Sequence, residues 1–182
     1  MTEPVQDASS KFQDSLPLSS DALLEKLQSW KISFNLFSHV PLNTVEDSKK
    51  VQGQFKSTAQ GGGHIKNLYL RDHKKKNILV VAEQDRSINL TALKEKLGVG
   101  RLSFGSADRL LETLGVRPGA VTPLSMINGV KQGVALFIDS DLQGCDTLYV
   151  HPLVNDRTIS IKPKDLLAFM SHIGVTVTWV DL

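Results

Sequence analysis

Three consecutive glycines, Gly61-Gly62-Gly63, give way at once to His64-Ile65-Lys66-Asn67-Leu68-Tyr69-Leu70-Arg71-Asp72. The alternation in that run predicts a strand. Ile65, Asn67, Tyr69 and Arg71 then share one face, and Lys66, Leu68, Leu70 and Asp72 share the other. Lys66 therefore lies on the same face as two leucines. An ammonium on an apolar face is costly unless something pairs with it. Two readings follow: the lysine is held in a cavity for binding or chemistry, or its long stem carries the charge out to water from the strand's first residues.

The neighbouring segments place this strand in a mixed architecture. Asp72-His-Lys-Lys-Lys-Asn77 separates strands at 65–71 and 77–83, a hairpin with a basic tip. Ser20 is a candidate cap for a helix from Asp21 to about Trp30, with Leu23, Leu24, Leu27 and Trp30 as its apolar stripe. Residues 32–37 read as a short strand. Thr44-Val-Glu-Asp47 resembles a capping box opening a short helix to about Gln52, with Asp in place of the usual Glu. A glycine-rich loop covers 56–63. Helices are expected at 91–97 and 106–114, stopped by Gly98 and Gly115, and after Pro163. Further strands fall near 101–104, 134–139, 147–151, 157–161 and 175–180. Residues 1–18 are polar and are expected to form a flexible tail; 19–182 form one domain. The fold class is mixed α/β (α+β): a curved, barrel-like mixed sheet with helices packed outside.

Composition bounds the function loosely. At 182 residues and 41% hydrophobic, the chain can build its own core. A net charge of +2 neither requires nor opposes nucleic-acid binding. The single cysteine, Cys145, excludes an internal disulfide and suits a reducing compartment. No apolar run reaches the roughly 20 residues of a membrane span, and no secretory signal is visible, so a cytoplasmic location is expected. There is no Gly-x-Ser-x-Gly elbow and no Cys/His pair of known signature. His64, His73 and His172 lack metal-ligand spacing, so neither a metal nor another cofactor is expected.

Gly62-Gly63-x-x-Lys66-Asn67-Leu-Tyr-Leu, Gly100-Arg-Leu-Ser-Phe104, Gly115-Val-Arg-Pro-Gly-Ala-Val-Thr-Pro-Leu124 and Val150-His-Pro-Leu-Val-Asn155 occur in one order that resembles the YbaK and prolyl-tRNA-synthetase-associated family. His39-x-x-x-x-Thr44 resembles the family's early element. The likeness covers about residues 21–180 and is strongest to the freestanding alanyl-tRNA(Pro) deacylases of ProX type. It implies a YbaK-like fold and hydrolysis of a wrong aminoacyl ester at the tRNA 3′ end. The acceptor end of aminoacyl-tRNA(Pro) is the implied partner, with transient contact to prolyl-tRNA synthetase; no membrane partner is implied.

Ester hydrolysis needs the carbonyl placed, its developing negative charge stabilised, and the correct amino acid excluded. The resemblance makes Lys66, Asn67 and His151 the catalytic candidates. Lys66 can hold a phosphate or ester oxygen. Asn67 faces away from it and serves a substrate contact or a local hydrogen bond. His151, at a strand end before Pro152, binds ribose, orients water or is structural. Gly119, Ala120, Val121, Thr122 and Pro123 form a Gly-x-x-x-Pro loop. Such a loop is an ordinary turn, or one whose backbone grips the aminoacyl end. Thr44 has a complete account as a helix cap, and His39 one in packing; both are also substrate-side candidates. Arg71, Lys74, Lys75 and Lys76 form a basic hairpin tip, a solvated face unless tRNA phosphates meet it.

Overall fold

The computed structural model describes residues 5–182. One strand governs the architecture. β2 (Gly62–Asp72) runs for 11 residues and pairs antiparallel with β3 (Asn77–Glu83) along its later part. Its first residues pair in parallel with β6 (Thr147–Val150), and its last with the short β4 (Leu102–Phe104). Adding β1 (Asn35–Ser38), β5 (Ala135–Asp139), β7 (Arg157–Ile161) and β8 (Val177–Val180) gives one eight-stranded sheet. Its order is β1-β7-β6-β2-β3-β5-β8, with β4 branching from β2. Parallel and antiparallel pairs coexist, and β1 and β8 remain edges, so the sheet curves without closing. The expected mixed, curved sheet with outer helices is the observed one.

The glycines at the head of β2 answer to close packing. A Cβ on Gly62 would sit 2.0 Å from the Lys56 carbonyl oxygen, and one on Gly63 would sit 2.4 Å from Leu148 Cδ2. The backbone crossing above and the core below therefore both touch the strand itself.

β3 is apolar at nearly every position because both its faces are covered. Leu79 and Val81 enter the main core beside Leu136, Ile138, Leu148, Ile159 and Ile161. Onto that core pack α1 (Ser20–Ser29), α4 (Ala107–Leu114), α5 (Met126–Gly129) and α6 (Pro163–Ile173). Ile78 and Val80 face the other way, with Leu70, Leu93, Leu97 and Leu102, beneath α3 (Leu90–Leu97). Each fully buried aliphatic side chain contributes about 1.5–3 kcal/mol. Among the described residues no helix is long and apolar enough to cross a membrane.

Several boundaries differ from the sequence-based expectation. Ser19, not Ser20, caps α1 by accepting from Ala22 N; Ser20 is fully buried and receives a hydrogen bond from Arg157. The strand read over 32–37 begins at Asn35. Before it, Lys31 takes a left-handed φ of 57° while Ile32 turns into the core as a plug. Short helical turns fill Pro123–Gln132, where the sequence showed no period long enough to read. Residues 1–4 of the expected tail lie outside the described residues. From Ala8 onward the segment is docked: Ala8 is 7% exposed, its carbonyl accepts from Asn155 N at 2.8 Å, and a 3₁₀ turn spans Ser10–Ser15.

One buried charge ties the sheet to the loop after β3. Asp139, at the end of β5, is fully buried. It accepts from Arg86 Nε at 2.7 Å, Glu83 N at 3.1 Å and Asp141 N at 3.2 Å. Removing one partner of such a pair strands the other. Asp139→Ala is expected to cost about 3 kcal/mol of unfolding free energy in urea titration. A loss below about 1 kcal/mol would show that Arg86 re-solvates freely and that the network is not a clamp.

Candidate active site

Strand alternation decides what the outer face of the β1-β7-β6-β2 half presents. Leu148, Val150, Ile159 and Ile161 point into the core. Their alternates are therefore on the other face: Tyr149 opposite Ser160, His64 opposite Tyr149, Phe37 opposite Thr158. α2 (Val45–Val51) and the segment that follows it lie over this face. Phe55 stacks on Tyr149 with ring centres 4.5 Å apart and meets Phe37 edge-on at 5.0 Å; His64 stacks on Tyr149 from the other side at 5.1 Å. Beside this aromatic wall is a cavity of about 210 Å³. That is smaller than the roughly 300–1,000 Å³ of sites for drug-sized molecules, so it suits one small head group.

His151 borders the cavity. Its Nδ1 lies 2.7 Å from the Arg157 carbonyl, which can only accept, so Nδ1 carries the proton and Nε2 keeps a lone pair. Burial holds its pKa down to about 4; the Arg157 carbonyl, which favours the charged ring, offsets only part of that. His39 lies 6.2 Å from His151, centre to centre. Its Nδ1 donates to the Val40 carbonyl, and its Nε2 accepts from Thr158 Oγ1, both at 2.7 Å.

The loop from Pro152 to Asp156 behind His151 is held from several directions. Leu153 is buried with a φ of +69°, a conformation costing a leucine about 1–2 kcal/mol. Ser10 N and Oγ donate to the two carboxylate oxygens of Asp156 at 2.9 and 2.7 Å. Leu42 N donates to the Asn155 carbonyl at 2.9 Å. Asn155 Nδ2 donates to Asn43 Oδ1 at 3.0 Å, and both approach the Gly119 Cα, where φ is +93°.

Lys66 and Asn67 both border the cavity, from opposite faces of β2. Lys66 is half-buried, and its Nζ donates to the Arg86 carbonyl, a hydrogen-bond partner rather than a countercharge. The loop that receives it is pinned to α2 by the Lys49–Asp85 ion pair at 2.7 Å and by paired amides of Gln52 and Gln84. Asn67 Oδ1 is buried with no partner among the described residues. Of the Gly-x-x-x-Pro loop, Gly119 and Val121 reach the cavity; Ala120 and Thr122 are fully buried, Pro123 is buried, and Thr122 caps the turn that follows. Thr44 accepts from Asp47 N as the α2 cap and also borders the cavity. Asp47 returns the bond to Asn43 N rather than Thr44 N, so the capping box is displaced by one residue.

The Lys74–Lys76 tip is not part of this assembly. Asp72 Oδ1 accepts from Lys74 N and Lys76 N, a local turn whose lysines are exposed about 20 Å along β2 from Asn67. Arg71 differs from these lysines: it is half-buried, its Nε is enclosed with no partner among the described residues, and its Nη2 donates to the Lys75 carbonyl. Sequence reasoning missed Tyr149, Phe55, Asn43, Gln52 and Thr158. Tyr149 was within reach, because Thr147-Leu-Tyr-Val-His alternates and puts it on the face of His151. Among the described residues no three His, Cys, Asp or Glu side chains are grouped to hold a metal ion.

The depressed His151 pKa fixes the sign of a pH effect. In the unfolded chain the ring protonates near 6.5, and in the folded chain only near 4. Between those values the unfolded state binds more protons, so stability falls as pH falls through that window. The loss attributable to His151 is up to about 3 kcal/mol. Urea titrations of wild type and His151→Gln from pH 7 to 4 should show the shallower decline in the variant. Parallel declines would mean that the ring titrates normally.

The model of the aminoacyl-tRNA editing domain matches residues 39–169, a span that contains every cavity residue named above. The prolyl-tRNA editing protein ProX of Acetoanaerobium sticklandii is 34% identical over 162 residues, covering 88% of this chain and 96% of its own. The prolyl-tRNA synthetase associated domain-containing protein 1 of Bos taurus is 35% identical over 158 residues, covering 84% and 89%. Among solved structures, that of hypothetical protein APE2540 superposes with a TM-score of 0.66 at 20% identity, covering 87% of this chain and 97% of that one, which speaks to the fold alone. On the extent of the domain match and the near full-length relatives, the chain belongs to the YbaK/ProX family of aminoacyl-tRNA editing domains.

Proposed function

We propose that this protein hydrolyses the ester of alanyl-tRNA(Pro), acting in trans on tRNA mischarged by prolyl-tRNA synthetase. The observation that carries the proposal is the small cavity, with the free Nε2 of His151, the hydrogen-bonded ammonium of Lys66 and the side-chain-free Gly119 at its border. The relatives' names support the prolyl-tRNA side of the assignment. The reaction joins a water oxygen to the ester carbonyl carbon, breaks the carbon–oxygen bond to the terminal ribose and returns a proton to the ribose oxygen. A ring that protonates only near pH 4 is a poor general base at neutral pH. His151 instead accepts a hydrogen bond, orienting the attacking water or a ribose hydroxyl. Lys66 supplies positive charge where the carbonyl oxygen becomes negative or at the adjoining phosphate. Backbone at Gly119 approaches the aminoacyl end without a side chain in between.

The need for such an enzyme is a limit of binding. A proline pocket cannot strongly reject alanine, because missing methylenes are worth only about 1–3 kcal/mol. A second, smaller cavity refuses proline by overpacking instead.

Purified protein given separate charged tRNAs should release alanine from tRNA(Pro) at least about tenfold faster than proline. Faster release of cysteine would reassign the substrate, and release of nothing would leave a tRNA- or synthetase-binding module. Lys66→Met should lower the single-turnover rate on alanyl-tRNA(Pro) by about 100-fold. Its unfolding free energy should stay within about 1 kcal/mol of wild type, the worth of one hydrogen bond. A wild-type rate in that folded variant would remove Lys66 from the mechanism.

A further inference from the structure

The outer sheet face that carries the cavity continues into a second, larger one. This second cavity, of about 580 Å³, is bordered by Asn35, Thr147, Ser160, Lys162 and Lys164, among others. Strand register puts it in line with the first. Ser160 is directly opposite Tyr149, and Thr158, which borders the first cavity, is two residues before Ser160 on β7. Thr158 to Lys162 is therefore about 13 Å along the same face. Phe55 borders the first cavity and meets Phe37, which is opposite Thr158, so both half-buried rings stand at that cavity's edge.

Three observations give the second cavity a chemistry. Ser160 is 9% exposed, borders the space, and its hydroxyl has no hydrogen-bond partner among the described residues. The hydroxyl opens onto that space rather than being sealed in the core, so it is free to donate to or accept from an occupant. Lys162 and Lys164 flank the opening, where α6 begins at Pro163 with no side-chain cap, so the positive end of the helix dipole faces the same space. Asp165 is the acidic group in the lining, which confines an anion to the lysine side.

We propose that this second cavity is a subsite for the single-stranded ribonucleotide tail of the substrate, a phosphodiester held by Lys162, Lys164 and the Ser160 hydroxyl. The inference rests on the editing reading above, since it takes the terminal aminoacyl-adenosine to occupy the first cavity. The nucleotides preceding it then run over Phe37 and Phe55, whose ring faces tolerate any base. Lysines at the far end neutralise phosphates and give the contact its salt dependence. In this arrangement the single strand leaves the cavity away from the Lys74–Lys76 tip.

The test uses the full chain and a fluorescent, uncharged four-nucleotide RNA ending in the acceptor sequence, read by anisotropy. Lys162→Ala/Lys164→Ala should weaken binding about tenfold and lower the slope of log affinity against log salt by about 1.4, two phosphates at about 0.7 each. Ser160→Val, which keeps the strand's shape, should weaken binding with no change in salt slope. Lys94→Ala/Lys96→Ala on α3 removes the same charge at the other end of the sheet and should leave binding unchanged. Equal loss in that control would reduce the effect to net charge and overturn the proposal, as would unchanged binding in the Lys162/Lys164 variant. Inorganic phosphate competing as well as RNA at equal phosphate would identify a free-anion site and also overturn it. In parallel, the Lys162/Lys164 variant should raise KM for alanyl-tRNA(Pro) with kcat kept, and leave hydrolysis of alanyl-adenosine unaltered. Wild-type protein inactive on every charged tRNA would defeat the editing reading, while the anisotropy result would still decide the subsite.

Discussion

Everything in this molecule is arranged around the double duty of β2. Its first residues belong to the half of the sheet that carries the polar outer face, and its later residues to the half buried on both sides. The same alternating positions therefore change character along one strand. His64 and Lys66 border a cavity, whereas Leu70, on the same face, is fully buried under α3. Gly62 and Gly63 are the condition for this change, because the covering segment and the core both contact backbone there. Lys66 sits at the transition, where apolar cover ends and the Arg86 carbonyl accepts a hydrogen bond from its ammonium.

The residues that hold the cavity open are mostly not those that border it. Asp139 gathers the Arg86 loop onto the end of β5, and that loop in turn holds Lys66 and, through Gln84 and Asp85, the helix α2. A chemical group at the cavity border is thus positioned by a carboxylate two strands away and out of solvent. Such preorganisation favours a site whose donors need not rearrange as charge develops.

Much of this was legible in the sequence, and what was not has identifiable causes. Alternation placed Lys66 and Asn67 on opposite faces of a strand, the family resemblance singled them out together with His151, and the structure brings all three to the border of one cavity. The Gly119 turn was legible as a place of close approach, though only Gly119 and Val121 reach the cavity. Phe55 and Asn43 escaped notice because they lie on irregular segments with no period, and their place is set by contacts made far along the chain. The docked segment from Ala8 was hidden for a related reason. Its polar sequence reads as a solvated tail, and what fixes it is Asn155 and Asp156, nearly 150 residues later.

That last contact has a bearing on how the protein comes into being. A chain grows from its N-terminus, so Ala8 and Ser10 leave the ribosome first and find nothing to bind. Their partners are made only when more than four-fifths of the 182 residues exist. Contacts of such separation close late, because the intervening loop must first lose its freedom. The loop that carries the left-handed Leu153 and stands behind His151 is completed by that closure. The cavity is therefore among the last features to mature during synthesis, and an unfinished chain carries the parts of the site without their final geometry.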